Sequence, residues 1–559
     1  MNLYFQAASF LDELELKQTS IKAALSSQNL PEKDSKRLLA LVISTLKYKP
    51  TIQTLLSLIP LTKDDKKVIY AKSKNLPLVL VHDLIFAAKP GIQSSTGPIK
   101  DAILKHKTRL AAELVKLKIK KGVRSNKELQ IGGGVGEQIP RYARINTNLI
   151  EPEELIAFLQ TKEGGFFTFL DKGPFPDPIP TKSFHLDEHI PNLLVFALAA
   201  SSILTQHVSY TSGHLILQDK ASCFPAYVLA PQPSLTSQPS HVIDATAAPG
   251  NKTSHLSALL AHASLLAGIS SPKAQDKVHA FELSPKRFKV LEMMIGRAGC
   301  TNVELGGTRR DFLETDPYGA EWRDVKYLLL DPSCSGSGIV NRLDFLTEEA
   351  EEENDTTKKE RLDKLAGFQL NMIRHAMKFP NAKKLVYSTC SIHPEEDEHV
   401  VLAALESKEA KEHGWSIAPR SMVLPDWDRR GRPEEMAGRV DLAESVVRCE
   451  PGVDKTNGFF VSCFIRANLI EDPAPMQVQS VKAAKKGKKR KAEQSTIVDD
   501  NQDQKKEGLA QKLGKADPIE GYPATSSTET SEGAKKKKKR ANKKKSPAGM
   551  AQSTPSADQ

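Results

Sequence analysis

Between about Gln218 and Ala467, short apolar runs alternate with segments of helical periodicity. Each run is bounded by turn residues and is too short for a buried helix, which indicates a strand. Strands that alternate with helices predict a parallel sheet, because parallel neighbours need a long crossover connection. We predict strands at His241–Ile243, Val278–Leu283, Val325–Leu330 and Lys384–Tyr387, and a buried strand near the sheet edge at Gly458–Ile465.

The rest of the 559-residue chain is long enough for further units. We expect an N-terminal helical domain over residues 1–125, because apolar residues recur at helical spacing, as in Leu39–Leu46. Pro140–Asn146 (PRYARIN) and the helix-like Glu151–Thr161 predict a small α/β unit over residues 126–217. The predicted sheet domain then covers residues 218–470. Met1–Ala7 (MNLYFQA) is similar to the remnant of a protease tag and could equally be native.

The positive charge is concentrated in a C-terminal tail over residues 471–559. The whole chain has 79 Lys and Arg against 68 Asp and Glu (+11), and the tail holds 20 against 12 (+8). Because the tail has few aromatic residues and much Lys, Ser and Gln, we expect it to be disordered. Its lysine blocks Lys485–Lys491 and Lys535–Lys545 are typical of nuclear address signals, or of nucleic-acid contact. The basic, amphipathic segment Asp101–Lys121 is either a solvated helix face or an RNA-phosphate contact.

Several classes of protein are excluded by what the sequence contains. No apolar run approaches the roughly 18–20 residues of a bilayer span, and the longest, Leu193–Leu204, has about the length of a buried helix. The six cysteines are scattered without a CxxC pair, which argues against a disulfide framework and a zinc ribbon. Two hydrophilic insertions, Ile269–Lys277 and Glu348–Lys364, interrupt the predicted sheet domain, and we expect the second to be a surface loop.

The stretch His241–Leu260 (HVIDATAAPGNKTSHLSALL) predicts a ligand-binding loop. Its strand ends at Asp244, a loop of small residues follows, and Thr253 is expected to cap a helix that starts at Ser254. Ligands of such sheets bind beyond the carboxyl ends of the strands. Neither GxGxxG nor a Walker loop is present, so a ligand without phosphates fits better. An ordinary tight turn between strand and helix would give the same pattern.

Acidic residues follow the next predicted strands. Glu282 is expected to lie in an open pocket and to accept both hydroxyls of a ribose, and Arg287 stands at the start of the next helix. Asp311 is suitably placed for the amino group of an adenine. Singly, each acidic residue has the pattern of a solvated carboxylate. As an ordered series they indicate adenosine binding without phosphate, which favours S-adenosyl-L-methionine.

Two cysteines stand beyond the ends of predicted strands. Leu328–Gly338 (LLLDPSCSGSG) places Asp331 and Cys334 on one loop, and Tyr387–Glu396 (YSTCSIHPEE) places Cys390 on another. Cytosine chemistry gives a reason for two thiols: one adds to carbon 6 so that carbon 5 becomes nucleophilic, and a second group removes the carbon-5 proton. Asp331 could hydrogen-bond the ring edge and support charge at ring nitrogen 3. The zinc set of a cytosine deaminase (HxE with PCxxC) is absent.

These motifs resemble those of the Nop/Sun-type RNA cytosine-5 methyltransferases. The resemblance lies in DATAAPGNKT, LLLDPSCSGSG, YSTC followed by PEEDEHV, and NGFFVSCFI, with PRYARIN and LQDKASC upstream. Leu46–Pro50 (LKYKP) and Val81–Phe86 (VHDLIF) are similar to the branch that modifies large-subunit ribosomal RNA in eukaryotes. The resemblance covers about Met1 to Ala467 and implies a Rossmann-like, doubly wound α/β catalytic domain.

The resemblance also implies roles for individual residues. Cys390 would be the nucleophile and Cys334 the releasing residue, an order that the residues alone leave open. Glu282 would hold the ribose of S-adenosyl-L-methionine, Arg287 would lie alongside, and Asp311 and Asp331 would complete the pocket. Asn251 replaces a glycine that is common in the family. The loop expected to wrap the methionine part of the cofactor consists of Thr246, Ala247, Ala248, Pro249, Gly250, Asn251 and Lys252.

The implied reaction is methylation of carbon 5 of a cytosine in large-subunit rRNA within a pre-ribosomal particle, in the nucleus and nucleolus. We expect a monomer that needs no metal and no membrane. Two alternatives stay open: a non-catalytic ribosome-assembly factor that binds pre-rRNA, and a methyltransferase that acts on tRNA or protein.

Overall fold

The computed structural model describes residues 2–17, 21, 24–25, 31–131, 139–230, 240–266, 276–307, 310–340 and 355–466. The tail predicted to be disordered lies outside these residues, and so does most of the first insertion. Helices form the N-terminal part, and two separate β-sheets follow. None of the described helices is both long enough and apolar enough to cross a membrane.

The N-terminal part is helical, as predicted, and its core is built from aliphatic side chains that recur at helical spacing. The basic segment Asp101–Lys121 forms two helices, because the chain breaks at Lys105 and His106, where the His106 ring lies 3.2 Å from the Asp65 carboxylate. The helices of this part are α1 (Asn2–Lys17), α2 (Glu32–Lys47), α3 (Lys49–Leu58), α4 (Lys63–Ile69), α5 (Leu76–Val81) with a following π-helical turn (His82–Phe86), α6 (Pro98–Leu104) and α7 (Lys107–Lys121).

Met1–Ala7, which resembles a tag remnant, is part of this fold from Asn2 onward. Tyr4 is buried in helix α1, and its hydroxyl donates to Asp83 Oδ2 at 2.6 Å and accepts the N–H of Gln93 at 2.8 Å. Burial and the Asp83 carboxylate together raise the pKa of Tyr4. This segment therefore contributes to the helical core, whatever its origin.

The unit that follows is a five-stranded sheet with the order β2-β3-β4-β1-β5, in which β4 and β5 flank β1 antiparallel. One face is covered by a short helix, and the other packs against the part of the chain that forms the second sheet. Leu193–Leu204 is a strand followed by a helical segment and not one buried helix, because its first residues pair with the neighbouring strands. The elements are β1 (Arg141–Ile145), α8 (Pro152–Leu159), β2 (Thr168–Phe169), β3 (Ser183–Leu186), β4 (Leu193–Phe196), α9 (Ser201–Gln206), α10 (Val208–Thr211) and β5 (Leu215–Leu217).

The second sheet confirms the predicted doubly wound α/β fold. Its strand order is β11-β13-β10-β9-β6-β7-β8, the five strands from β6 to β10 run parallel, and β12 pairs with β13. The buried strand expected near the edge is β13, which runs antiparallel to β10. The strands are β6 (His241–Asp244), β7 (Val278–Ala280), β8 (Val303–Leu305), β9 (Val325–Leu330), β10 (Lys384–Thr389), β11 (Ser416–Ile417), β12 (Val447–Cys449) and β13 (Phe459–Ile465).

Helices connect and cover these strands. Two predictions on their bounds are wrong. The helix after β6 begins at Asn251, and Thr253 does not cap it, since its hydroxyl donates to Asp244 Oδ2 at 2.8 Å. The second half of the insertion Glu348–Lys364 is helical from Asp355 on and is not a loop. The helices are α11 (Lys220–Leu229), α12 (Asn251–Leu266), α13 (Pro285–Arg297), α14 (Asp355–Ala376), α15 (Glu398–Glu406), α16 (Lys408–His413) and α17 (Val440–Glu444).

The strand order locates the place where a ligand can bind. From β6 the chain continues outward through β7 and β8, and then returns to form β9 on the other side of β6. The connections beyond the carboxyl ends of β6 and β9 therefore lead in opposite directions and leave a crevice between them. The loops that carry the predicted site residues start at this edge of the sheet.

Candidate active site

The two predicted cysteines meet beyond the ends of β9 and β10. Cys334 Sγ and Cys390 Sγ are 3.0 Å apart, although 56 positions separate them in the sequence. Both residues are partly exposed and neither forms a disulfide. The N–H of Gly338 donates to the carbonyl of Cys390 at 2.9 Å, which ties the two loops together. Parallel neighbouring strands end at the same edge, which explains why these thiols come together.

The two thiols share a proton unequally. The hydrogen bond from Cys334 lowers the pKa of Cys390, and the nearby Lys252 ammonium acts in the same direction against the opposing effects of burial and Asp331. The hydrogen bond with Cys390 and burial raise the pKa of Cys334. Ionisation is therefore easier at Cys390 than at Cys334. A thiolate is the nucleophilic form of cysteine, so Cys390 is the more reactive of the two.

Asp331 connects the loop and the helix that follow β6 to the end of β10. Its Oδ2 accepts from Lys252 Nζ at 2.7 Å, its Oδ1 accepts from the Ser388 hydroxyl at 2.7 Å, and its N–H donates to Thr246 Oγ1 at 3.0 Å. Lys252 Nζ also donates to Ser222 Oγ at 3.1 Å. Burial opposes its charge, yet the Asp331 carboxylate raises the pKa of Lys252. Lys252 thus lies beside the cysteine loops, and its assignment to the cofactor stays a prediction.

The peptide on either side of Cys334 is held by two buried side chains that the sequence reasoning missed. Gln369 Nε2 donates to the carbonyl of Ser333 at 3.1 Å, and Glu396 Oε1 accepts the N–H of Ser335 at 2.8 Å. Gln369 Nε2 also donates to Glu396 Oε1 at 3.1 Å. Glu396 stands in the PEE triplet after Cys390, which was a usable signal, whereas nothing in the sequence of α14 singles out Gln369. We refer to this pair as the Gln369–Glu396 clamp.

A buried ion pair fixes the segment that follows Cys390. Arg448 Nε donates to Glu398 Oε1 at 2.6 Å, and its Nη2 lies 3.1 Å from Asp397 Oδ2. Its Nη1 donates to the carbonyl of Ile392, two residues beyond Cys390, at 3.2 Å. Burial raises the pKa of Asp397. A paired buried guanidinium of this kind holds its neighbours firmly, since breaking the pair would leave a charge without compensation.

The loop between β6 and α12 has the features of a ligand-binding site, and we refer to it as the cradle. Gly250 has φ +111°, and an added Cβ would lie 3.2 Å from Met294 Cβ, so glycine is required there. Asn251 starts helix α12, whose first-turn N–H groups have no partner within the helix. The buried Oδ1 of Asn251 has no hydrogen-bond donor among the described residues. Ala247 and Ala248 are buried and small, and leave room for close approach.

Glu282 and Arg287 lie next to this loop. The expectation of an open pocket around Glu282 is wrong, since only 5% of the residue is exposed. Its Oε1 accepts the N–H of Ser284 at 2.8 Å, and its Oε2 is 3.4 Å from Arg287 Nη1. Arg287 Nη2 also donates to the carbonyl of Ala248 at 2.7 Å. Arg287 therefore contacts both the loop after β6 and the Glu282 carboxylate.

Asp311 lies beyond β8, and its described contact is local. Its Oδ1 accepts the N–H of Leu313 at 2.9 Å and caps the short 3-10 helix Phe312–Glu314. The role expected of it toward an adenine stays a prediction.

The small sheet reaches the cradle through a buried arginine. Arg144 belongs to the PRYARIN segment, and its Nη2 donates to Ser254 Oγ at 3.0 Å and to the carbonyl of Asn251 at 3.4 Å. Its Nε donates to Gln218 Oε1 at 3.1 Å. Burial lowers the pKa of Arg144 to about 10. The sequence reasoning did not predict that this arginine holds the first turn of α12.

No group of three or more His, Cys, Asp or Glu side chains within the described parts of the chain is arranged to hold a metal ion. The arrangement instead combines a polarised thiol pair, a carboxylate–ammonium pair and a cradle of small residues. Such a site can carry out nucleophilic addition by Cys390 beside a bound small ligand.

Family models match the helical part, the small-sheet unit and the second-sheet part of the chain. A family model described as 16S rRNA methyltransferase RsmB/F matches residues 226–465. Two models described as the N-terminal domain and the ferredoxin-like domain of NOL1/NOP2/Sun domain family member 5 match residues 36–130 and 139–218.

Curated relatives match over nearly their whole length. The chain is 41% identical to the 25S rRNA (cytosine-C(5))-methyltransferase rcm1 of Schizosaccharomyces pombe, over 83% of this chain and 91% of the relative. It is 38% identical to the 28S rRNA (cytosine-C(5))-methyltransferase of Mus musculus, over 85% and 93%. It is 31% identical to the 26S rRNA (cytosine-C(5))-methyltransferase nsun-5 of Caenorhabditis elegans, over 84% and 99%.

The thiol pair leads to a testable prediction. Iodoacetamide should alkylate Cys390 at a lower pH than an ordinary cysteine, because the Cys334 hydrogen bond favours the thiolate. Cys334→Ala removes that bond, so the pH at half-maximal alkylation of Cys390 should rise. Mass spectrometry of the Cys390 peptide across a pH series measures this, with Cys300→Ala as the control that leaves the curve in place. A curve that does not move in Cys334→Ala would contradict the shared proton.

Proposed function

This chain belongs to the NOL1/NOP2/Sun family of rRNA cytosine-5 methyltransferases, and we propose that it methylates carbon 5 of a cytosine in large-subunit rRNA. The observation that carries the proposal is the pair of thiols 3.0 Å apart at the switch point of the sheet. Carbon 5 of cytosine is a poor nucleophile until a thiolate adds to carbon 6. One thiol is needed for this addition and a second group for release, and the site holds both.

The residues around the cradle fit S-adenosyl-L-methionine, which supplies the methyl group as an electrophile when bound. The first-turn N–H groups of α12 suit its carboxylate, and the unpartnered Oδ1 of Asn251 suits its ammonium. Glu282 suits the ribose hydroxyls, since both of its oxygens retain acceptor capacity beside Ser284 and Arg287. Small side chains at Ala247 and Ala248 allow the ligand to approach the backbone.

In the first step Cys390 attacks. Its thiolate forms a bond to carbon 6, and the π electrons of the carbon 5–carbon 6 double bond shift onto carbon 5, in conjugation with ring nitrogen 3, so that carbon 5 becomes nucleophilic. The Lys252 ammonium lies beside Asp331 and stabilises the negative charge that develops on the ring. Asp331 holds Lys252 in place and borders the ring edge.

Cys334 is the base of the release step. While Cys390 is a thiolate, its hydrogen bond keeps the proton on Cys334. Once Cys390 is bonded to carbon 6 that charge is gone, so Cys334 loses its proton to water more readily. The Cys334 thiolate then accepts the proton from carbon 5, the ring double bond forms again, and the bond between carbon 6 and Cys390 breaks. The Gln369–Glu396 clamp keeps Cys334 in position during both steps.

The place of action that we propose is the nucleolus, on a pre-ribosomal particle. Support comes from the relatives, whose names specify large-subunit rRNA as the substrate. The lysine-rich tail is suited to contact with RNA phosphates and to nuclear import.

The proposed reaction can be tested by bisulfite sequencing of large-subunit rRNA from cells that lack this protein. One cytosine that is protected from conversion in normal cells should become convertible after deletion. Re-expression of the wild-type chain should restore protection, and re-expression of Cys390→Ala should not. Restoration by Cys390→Ala would favour the non-catalytic assembly factor, and loss of protection in tRNA alone would favour the tRNA enzyme.

The two cysteine variants should fail in different ways. Cys390→Ala cannot add to carbon 6, so it should neither methylate RNA nor form an adduct. Cys334→Ala should still add and transfer the methyl group, and should then accumulate as a covalent protein–RNA adduct. A denaturing gel of each variant incubated with substrate RNA and cofactor measures this. An RNase-sensitive shifted band from Cys390→Ala, with none from Cys334→Ala, would reverse the two roles.

Glu282→Gln should weaken binding of S-adenosyl-L-methionine by about 1.5–3 kcal/mol, or roughly 10- to 150-fold in Kd, because a hydrogen bond to a charged group is lost. The glutamine retains an oxygen that accepts from Ser284, so the fold should persist. Calorimetry measures the affinity, and thermal unfolding checks the fold. The control is Glu292→Gln, an exposed carboxylate on α13. Equal affinities in both variants would remove Glu282 from the cofactor site.

A further inference from the structure

An open cavity lies next to Cys334 and is bordered by one face of helix α14. Its volume is about 350 Å³, and it is lined by Cys334 together with Glu360, Arg361, Lys364 and Leu365. This volume is within the usual range of ligand pockets. The cavity therefore brings the Cys334 thiol next to a surface that carries two cationic side chains and one carboxylate.

Helix α14 carries both the cationic side chains of the cavity and the glutamine that holds the Cys334 loop. Lys364 lies five residues before Gln369, whose side chain donates to the carbonyl of Ser333 at 3.1 Å. The helix that holds the peptide of Cys334 is thus the helix that presents the cations. A ligand group bound at Lys364 is placed at a defined position relative to the thiol, because an α-helix is rigid over two turns.

The conformation of a pyrimidine nucleotide determines which of its other groups comes close to the thiols when carbon 6 is attacked. In the usual anti conformation of a pyrimidine nucleotide, the carbon 5–carbon 6 edge of the base is turned toward the nucleotide's own 5′ phosphate. Attack on carbon 6 therefore brings that phosphate toward the thiol pair. Phosphate oxygens of RNA are bound chiefly by Lys and Arg.

We propose that Lys364, with Arg361 beside it, binds the RNA phosphate on the 5′ side of the target cytosine. Lys364 is exposed and has no ion-pair partner among the residues that the structure describes. Glu360 reduces the net charge of the lining from +2 to +1, and one cation suffices for one phosphate. The assignment rests on the proposed function, since it takes the cytosine to be the base that reaches Cys334.

The same helix offers a matched control. Lys359 is exposed and five residues before Lys364, so the two side chains point about 140° apart around the helix axis. Lys359 does not line the cavity. Lys359→Gln and Lys364→Gln remove the same charge from the same helix, and only the second removes it from the wall beside Cys334.

The experiment uses the full chain and an RNA oligonucleotide centred on the cytosine that bisulfite sequencing locates. One version has natural linkages, and a second has a neutral methylphosphonate in place of the phosphate 5′ to that cytosine. Fluorescence anisotropy gives the Kd of each RNA with the wild-type protein and the two variants over a salt series. Cofactor affinity, measured in parallel, reports that each variant is folded.

With wild-type protein, the neutral linkage should weaken binding and lower the salt slope by about one. Lys364→Gln should have the same effect on natural RNA, and the neutral linkage should then cause no further loss, because contacting groups are not additive. Lys359→Gln should respond to the neutral linkage as the wild type does.

Two results would overturn the assignment. If the losses from Lys364→Gln and from the neutral linkage add, the lysine does not contact that phosphate, and the methyltransferase function is unaffected. If the wild-type protein methylates no cytosine in rRNA, the proposed function fails first and the assignment fails with it. The bisulfite result therefore separates the two failures.

Discussion

The Asp331 carboxylate is the constraint on which the active site depends. It accepts from Lys252 in the first turn of α12 and from Ser388 at the end of β10, while the backbone N–H of Asp331 donates to Thr246 on the loop after β6. Asp331 thereby links the segments at the carboxyl ends of β6, β9 and β10. A carboxylate that accepts charge-assisted hydrogen bonds holds its partners more tightly than a neutral group would. These hydrogen bonds connect the cradle expected to bind the cofactor to the loops that carry the thiols.

Hydrogen bonding between the two thiols explains how one site can perform two opposite steps. In the proposed mechanism this bond favours ionisation of Cys390 over Cys334, so Cys390 attacks first. Bond formation at Cys390 removes the charge that held the proton on Cys334. In this mechanism the first step prepares the base for the second, because loss of the charge on Cys390 makes Cys334 easier to deprotonate. The Gln369–Glu396 clamp keeps Cys334 in reach throughout.

Buried polar side chains connect the small sheet to the catalytic part. Arg144 donates to Ser254 and to the carbonyl of Asn251, and so anchors the first turn of α12 from outside the catalytic sheet. The guanidinium is almost fully buried and its Nη1 has no hydrogen-bond partner among the described residues, so the hydrogen bonds of Nε and Nη2 alone offset the cost of burial. Through Arg144, the small sheet therefore holds the first turn of α12 next to the cradle.

The motifs were enough to predict the α/β fold, the parallel strands and the two cysteine loops, because strand periodicity and loop composition are local properties. They were also enough to indicate the family, through the loops that carry Cys334 and Cys390. Local patterns did not predict the start of α12 at Asn251, the helix within the second insertion, or the burial of Glu282. Those features depend on individual side-chain contacts that hydrophobic periodicity does not show, such as the hydrogen bond from the Thr253 hydroxyl to Asp244 and the pairing of Arg287 with Glu282. Only the tertiary structure brought the two thiols within 3.0 Å of each other and set Gln369 against Ser333, because hydrogen bonds across 36 to 56 positions leave no periodic trace in the sequence.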